Sequence, residues 1–232
     1  MLEFQEVSYI YPNGHRALSN INLLIEKGEF VFLVGHTGAG KTTFLKLIYR
    51  EILPTTGKIF FENQDISLLT PKQVPYYRRR LGIVFQDFKL LNYKTVFYNV
   101  SYPLEVTLVP FNETIRRVMK VLKIVGLLEK RNFYPDELSG GEQQQVSIAR
   151  AIVNNPSILI ADEPTGNLDE KSAYKVMDII QEINNMGTTV IVSTHNLEIV
   201  RKLNKRVIHL ENGYLKNDSK IKEYFVLWYT II

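Results

Sequence analysis

Apolar and polar positions change period several times along the chain. Residues 2–7 and 21–25 have strand character and flank the turn sequence Pro12-Asn13-Gly14. Phe30-Val31-Phe32-Leu33-Val34 is a continuous apolar run ending in glycine, as in a strand buried on both faces of a parallel sheet. Residues 43–51 place Phe44, Leu45, Leu47 and Ile48 at helical spacing, with Pro54 as the stop. Strands are expected again at 58–61 and 81–85. From about 112 to 153 the pattern is helical, with Ile115, Val118, Met119, Leu122 and Val125 in phase. Strands return at 158–161, 189–193 and 207–210, with helices at roughly 170–185 and 196–202 between them. Strand–helix alternation at both ends predicts an α/β sheet domain, and the helical middle an inserted sub-domain. No internal repeat and no low-complexity segment interrupts this pattern.

Composition narrows the classes. The chain has 232 residues, 45% hydrophobic and 22% charged, which excludes disorder and collagen-like repeats. It contains no cysteine, so disulfide scaffolds, thiolate metal sites and cysteine nucleophiles are excluded. A net charge of +4 is too mild to imply nucleic acid. Met1-Leu2-Glu3-Phe4 does not open a secretory signal. The longest apolar stretch, 224–232, is far shorter than the ~20 residues of a membrane-spanning helix. A soluble protein is therefore expected, reaching a membrane only through a partner or a surface.

Gly35-His36-Thr37-Gly38-Ala39-Gly40-Lys41-Thr42 matches G-x-x-x-x-G-K-[ST] at every fixed position. Glycines let successive backbone N–H groups turn toward phosphate oxygens. A helix starting near Lys41 adds its positive dipole end. Lys41 supplies a charge to the outer phosphates, and the Thr42 hydroxyl suits Mg²⁺. A chance match in a chain of this length is on the order of one in a hundred, and this one lies between an expected strand and an expected helix.

Two further segments fit the same chemistry. The apolar run Ile158-Leu159-Ile160-Ala161 ends in Asp162-Glu163, and the ends of parallel strands face the ligand crevice. Asp162 is the expected second Mg²⁺ ligand, and Glu163 the group that polarises the attacking water. Leu138-Ser139-Gly140-Gly141-Glu142-Gln143 leads into a helical pattern. Ser139 is a candidate N-cap and Glu142 its capping-box partner. One chain would hardly aim two such helix starts at one phosphate, whereas two chains facing head to tail could, which suggests a dimer.

Together these segments resemble the nucleotide-binding domain of ABC ATPases, from the start of the chain to about Leu215. Gln86 in Val84-Phe85-Gln86-Asp87, the Asn167-Leu168-Asp169 loop and His195 in Ser193-Thr194-His195 complete the set in the family's order. The resemblance implies a P-loop fold of α/β class with a mixed sheet core, an antiparallel β sub-domain and an inserted helical sub-domain. It implies one domain over 1–232: a sheet core at about 1–86 and 156–216, a helical sub-domain with the signature at about 87–155, and a tail at 217–232. It further implies ATP and Mg²⁺ as ligands. Tyr11 would stack on adenine. Gly35, His36, Thr37, Gly38, Ala39, Gly40, Lys41, Thr42 and Thr43 would hold the phosphates. Thr42, Gln86 and Asp162 would hold the metal. Glu163, His195, Gln86 and Lys41 would be catalytic. Ser139, Gly140, Gly141 and Asp169 would reach the nucleotide bound by the other subunit of a homodimer.

Within the family, residues 74–91, 35–40 and 161–169 resemble the cell-division branch of FtsE type, which implies an FtsX-like membrane partner and a place at the cytoplasmic face of the inner membrane. The ATPases of lipoprotein release and macrolide-type export share the Gly-Asn-Leu-Asp loop and remain the alternative. A nucleic-acid-associated ABC ATPase fits less well, because the chain has one phosphate loop and one signature, and no nucleic-acid partner is expected. The partner surface is expected near Gln86, Asp87 and Phe88, lined by Phe85, Leu90 and Tyr93. Two positions depart from the family pattern: Gln145 stands where arginine is usual and Asn196 where aspartate is common, and both are expected to slow hydrolysis. The tail residues Ile221, Tyr224, Phe225, Trp228 and Ile232 have helical spacing, with packing on their own domain preferred over a peripheral membrane contact.

Overall fold

The structure is a computed structural model, and it describes residues 1–220. Ten strands and seven α-helices follow in chain order: β1 (Leu2–Ile10), β2 (Arg16–Ile25), β3 (Phe30–Val34), α1 (Lys41–Ile48), β4 (Thr56–Phe61), β5 (Gln64–Asp65), α2 (Val74–Arg78), β6 (Leu81–Val84), α3 (Val96–Val106), α4 (Phe111–Ile124), α5 (Gly140–Ile152), β7 (Ile158–Asp162), α6 (Glu170–Asn185), β8 (Thr189–Ser193), α7 (Leu197–Leu203), β9 (Arg206–Glu211) and β10 (Tyr214–Lys220). They form two compact units, 1–78 with 189–220, and 79–188. The tail residues from Ile221 onward, and with them the stripe expected there, lie outside the described residues. Among the described residues no helix is long and apolar enough to cross a membrane.

The first unit holds an antiparallel sheet in the order β2-β1-β4-β5 and the strands β10-β9-β3-β8. In β2, Ile21, Leu23 and Ile25 are buried while Asn22 and Leu24 are exposed, the alternation of a sheet with one covered face. β1 and β2 pair beyond the apolar stretch as far as Ile10↔Arg16, so both strands are longer than hydrophobicity alone predicts. Phe4 stacks on Phe44 with ring centroids 4.5 Å apart, which seats α1 on this sheet. All five residues of β3 are buried. β3 runs parallel to β8, pairing Leu33 with Ser193, and to β9, pairing Val34 with His209. The phosphate-loop sequence and His195 therefore leave neighbouring strands at the same edge. β10 is antiparallel to β9, so the strand set is mixed.

In the second unit β6 and β7 run parallel, with Val84 opposite Ala161. Gln86 and Asp162 thus leave this pair at its C-terminal end. α5 packs against α3, α4, α6 and β6, and Val146, Ile148 and Ala149 are fully buried in its middle. α3 escapes the sequence pattern because Pro103 lies inside it. Its start is held by the Thr95 hydroxyl, which accepts from the Tyr98 N–H at 3.3 Å. The fully buried Asn99 fixes the approach to it, donating to the carbonyls of Leu91 and Lys94 and accepting from the Leu91 N–H at 2.8 Å.

Candidate active site

Within the first unit the loop after β3 curls back on itself. The Lys41 ammonium donates to the Gly35 carbonyl at 2.8 Å and to that of His36 at 3.4 Å. Gly40 precedes α1 at φ +106, and a Cβ there would stand 2.6 Å from the Ala17 carbonyl oxygen, so only glycine fits. The N–H of Gly213, in the Asn-Gly turn between β9 and β10, donates to the Ala39 carbonyl at 3.2 Å. Sequence reading misses this brace because β10 is polar; the Asn212-Gly213 pair was its one signal. α1 has no side-chain cap at its N-terminus. By contrast Thr95, Ser139, Asp169 and Asn196 cap α3, α5, α6 and α7. The N–H groups of α1's first turn have no intrahelical acceptor, and with the helix dipole they favour an anion.

Tyr11 and Thr43 sit in the same unit and share a hydrogen bond of 2.9 Å. Tyr11 also stacks on His15, with ring centroids 6.3 Å apart. The loop residues His36, Thr37, Gly38 and Thr42 are exposed, and so is His195 just past β8. Asn196 caps α7, accepting from the N–H groups of Glu198 and Ile199 at 3.1 and 3.2 Å, a task an aspartate would also perform.

Within the second unit, Glu163 follows β7 at φ +46, a left-handed conformation that is strained for this residue type. Its carbonyl accepts from the Gly166 N–H at 3.1 Å, closing a turn. A Cβ on Gly166 would stand 3.3 Å from Gln86 Nε2, so the structure brings Gln86 to the Glu163 turn. Gln144 of α5, which is fully buried, donates to the Pro164 carbonyl at 2.9 Å. Sequence reading passed over Gln144 as one of three successive glutamines.

The signature segment forms the expected capping box. The Glu142 N–H donates to the Ser139 hydroxyl at 3.3 Å, and Glu142 Oε2 accepts from the Ser139 N–H at 3.0 Å. Lys130 pairs with Glu142 and, before the Ser139 N–H, holds its carboxyl below the usual carboxylate range. Gly141 lies so near α6 that a Cβ would meet Ser172 at 2.8 Å. Asp169 caps α6, accepting from the Ser172 N–H at 3.0 Å, and its bonds to Ser172 hold its carboxyl low. Ser139, Gly141, Gln145, Asp169 and Lys171 line a cavity of about 370 Å³. Gln145 is 1% exposed and donates to the Val125 carbonyl at 2.7 Å. It thus satisfies the end of α4 while edging this cavity.

The metal-ligand candidates Thr42, Gln86 and Asp162 offer a hydroxyl, an amide and a carboxylate oxygen, a hard donor set that suits Mg²⁺. Among the described residues no group of three or more His, Asp or Glu gathers to hold a metal unaided.

A family model described as ABC transporter matches residues 18–166. The cell division ATP-binding protein FtsE of Bacillus subtilis (strain 168) is 52% identical over 224 residues, covering 97% of this chain and 98% of that relative. The protein of the same name from Escherichia coli (strain K12) is 43% identical over 215 residues, covering 93% and 97%. Among solved structures, the ATP-binding cassette MJ0796, a dimer in a post-hydrolysis state bound to ADP and Pi, superposes with a TM-score of 0.85 at 36% identity, covering 95% of this chain and 99% of that one. The structure of cbiO1 from Clostridium perfringens, part of the ABC transporter complex cbiONQ, gives 0.91 at 31% identity, covering 99% and 92%. With a phosphate loop at the head of an uncapped helix, a capped signature helix and these likenesses over almost its whole length, the chain belongs to the ABC transporter family.

Proposed function

We propose that this chain is the ATP-binding and ATP-hydrolysing subunit of an FtsE-type ABC complex, one domain built from both compact units. The observation that carries the reading is the 52% identity to an FtsE over 97% of the chain, in a sequence that contains Lys41, Gln86, Asp162, Glu163 and His195. Gly35 to Thr43 bind the triphosphate, Tyr11 stacks on adenine, and Ser139, Gly140, Gly141 and Asp169 reach the nucleotide of a second copy. Thr42, Gln86 and Asp162 hold Mg²⁺, which when bound neutralises charge on the phosphate oxygens. Glu163 takes up a proton from the attacking water, and His195 holds the γ-phosphate. ATP touches both copies only when they close, so it stabilises the closed homodimer, and hydrolysis releases it.

The closing and opening of the pair drives an FtsX-like membrane protein in bacterial cell division, from the cytoplasmic face of the inner membrane. Affinity capture from the native membrane tests this. A four-span protein with a large outer loop is expected to co-purify, and ATP hydrolysis by the purified chain is expected to vanish in Lys41→Ala. Recovery of a lipoprotein-release complex would contradict the division role, and wild-type protein without ATPase activity would contradict the enzyme.

A further inference from the structure

The segment after β6 holds two adjacent non-glycine residues in the left-handed region, Phe88 at φ +56 and Lys89 at φ +51. Each such residue costs roughly 1–2 kcal/mol, and a pair persists only where its surroundings impose it. Two backbone hydrogen bonds close the turn locally, from the Phe88 N–H to the Phe85 carbonyl at 3.3 Å and from the Lys89 N–H to the Asp87 carbonyl at 2.5 Å. The Lys89–Asp87 ion pair, at 2.6 Å, is well exposed on both sides, and exposed pairs contribute little.

The restraint from outside the loop comes from α5. Arg150 Nη1 donates to the Lys89 carbonyl at 2.6 Å and Nη2 to the Phe88 carbonyl at 2.7 Å. Two successive left-handed residues turn both carbonyls to the same side, and the planar guanidinium meets them with its fork. A lysine ammonium is a point charge and cannot span the two oxygens in that way. Arg150 belongs to the helix that begins at the signature and whose Gln144 holds the Pro164 carbonyl beside Glu163. Gln86 lies two residues before Phe88.

We propose that Arg150 is a positioning residue for hydrolysis, fixing the 86–89 loop to α5 so that Gln86 is presented beside the Glu163 turn. This rests on the ATPase reading above and on the role given there to Gln86. Arg150 acts here through the carbonyls of Phe88 and Lys89.

The test uses the full chain and four variants: Arg150→Gln, Arg150→Lys, Gln86→Ala and the double variant Gln86→Ala with Arg150→Gln. Arg150→Gln is expected to lower kcat about tenfold or more, leaving KM for ATP within about twofold. Arg150→Lys is expected to fall between it and the parent. If Arg150 acts through Gln86, the double variant is no slower than Gln86→Ala alone, because coupled sites are not additive. Independently of turnover, amide hydrogen exchange in the nucleotide-free Arg150→Gln chain is expected to speed up at 86–91 and stay unchanged at 140–148. Parental kcat in Arg150→Gln, or an additive loss in the double variant, overturns the proposal. Should Arg150→Gln not fold, Arg150→Lys carries the same comparison, and parental kcat and exchange there overturn it. Parental kcat in Gln86→Ala overturns the role of Gln86, and the catalytic claim for Arg150 with it, while the ATPase reading stands.

Discussion

The Gln144 side-chain amide donates to the Pro164 carbonyl at 2.9 Å, tying the signature helix to the turn that carries Glu163. Both residues are buried. Gln144→Leu leaves that carbonyl without its donor, a cost of about 1–3 kcal/mol. The loss lies toward the lower end, because Gln144 Oε1 is itself buried without a partner and goes with the substitution. Gln144→Glu is worse than leucine, since it sets a carboxylate against a carbonyl. Urea unfolding of the three proteins checks the order; equal midpoints would refute it.

Tyr11 separates stacking from hydrogen bonding. Tyr11→Phe loses the bond to Thr43 but keeps the ring, so the affinity for ATP stays within about threefold. Tyr11→Ala loses the ring, worth ~0.5–1.5 kcal/mol, or roughly tenfold at most. Titration with a fluorescent ATP analogue measures both. Equal losses in the two variants would assign the effect to the hydroxyl and its bond to Thr43, and would contradict stacking.

Lys130 and the Ser139 N–H depress the pKa of Glu142, and this sets a direction with pH. A carboxyl whose folded pKa lies below its unfolded value contributes stability above the unfolded value, about 4.3 for glutamate. That contribution is lost as pH falls through the folded pKa. The parent is therefore expected to lose more stability than Glu142→Gln between about pH 5 and pH 3. Thermal melts of both across that range read the difference; parallel curves would remove Glu142 from the account.

Gln145 is buried beside the cavity edged by Ser139 and Asp169. Gln145→Arg places a cation there and is expected to raise the steady-state ATPase rate severalfold. An unchanged rate would dismiss Gln145 as a brake on hydrolysis.

The elements that carry the candidate site were legible where a local pattern implies its own partner. The apolar run 30–34 became the fully buried β3. Ser139 and Glu142 became a capping box three residues apart, and the helix expected at 170–185 begins behind the Asp169 cap. What stayed hidden depends on distant backbone. Arg150 stands between the buried Ile148-Ala149 and Ile152-Val153, a hint that it needs a partner. That partner is a carbonyl 61 residues away, and carbonyls leave no mark in a sequence. β10 is mostly polar, with Asp218 paired to Arg206 across the hairpin at 2.7 Å, so no apolar alternation announces it.

The central claim is that a triphosphate joins two copies of this chain until Glu163 helps to cleave it. Light scattering of purified Glu163→Gln with ATP and Mg²⁺ tests it most directly. The mass is expected to double from the 26.9 kDa of one chain, and to return to that value with ADP. A Glu163→Gln protein that binds ATP and stays at the mass of one chain would contradict it.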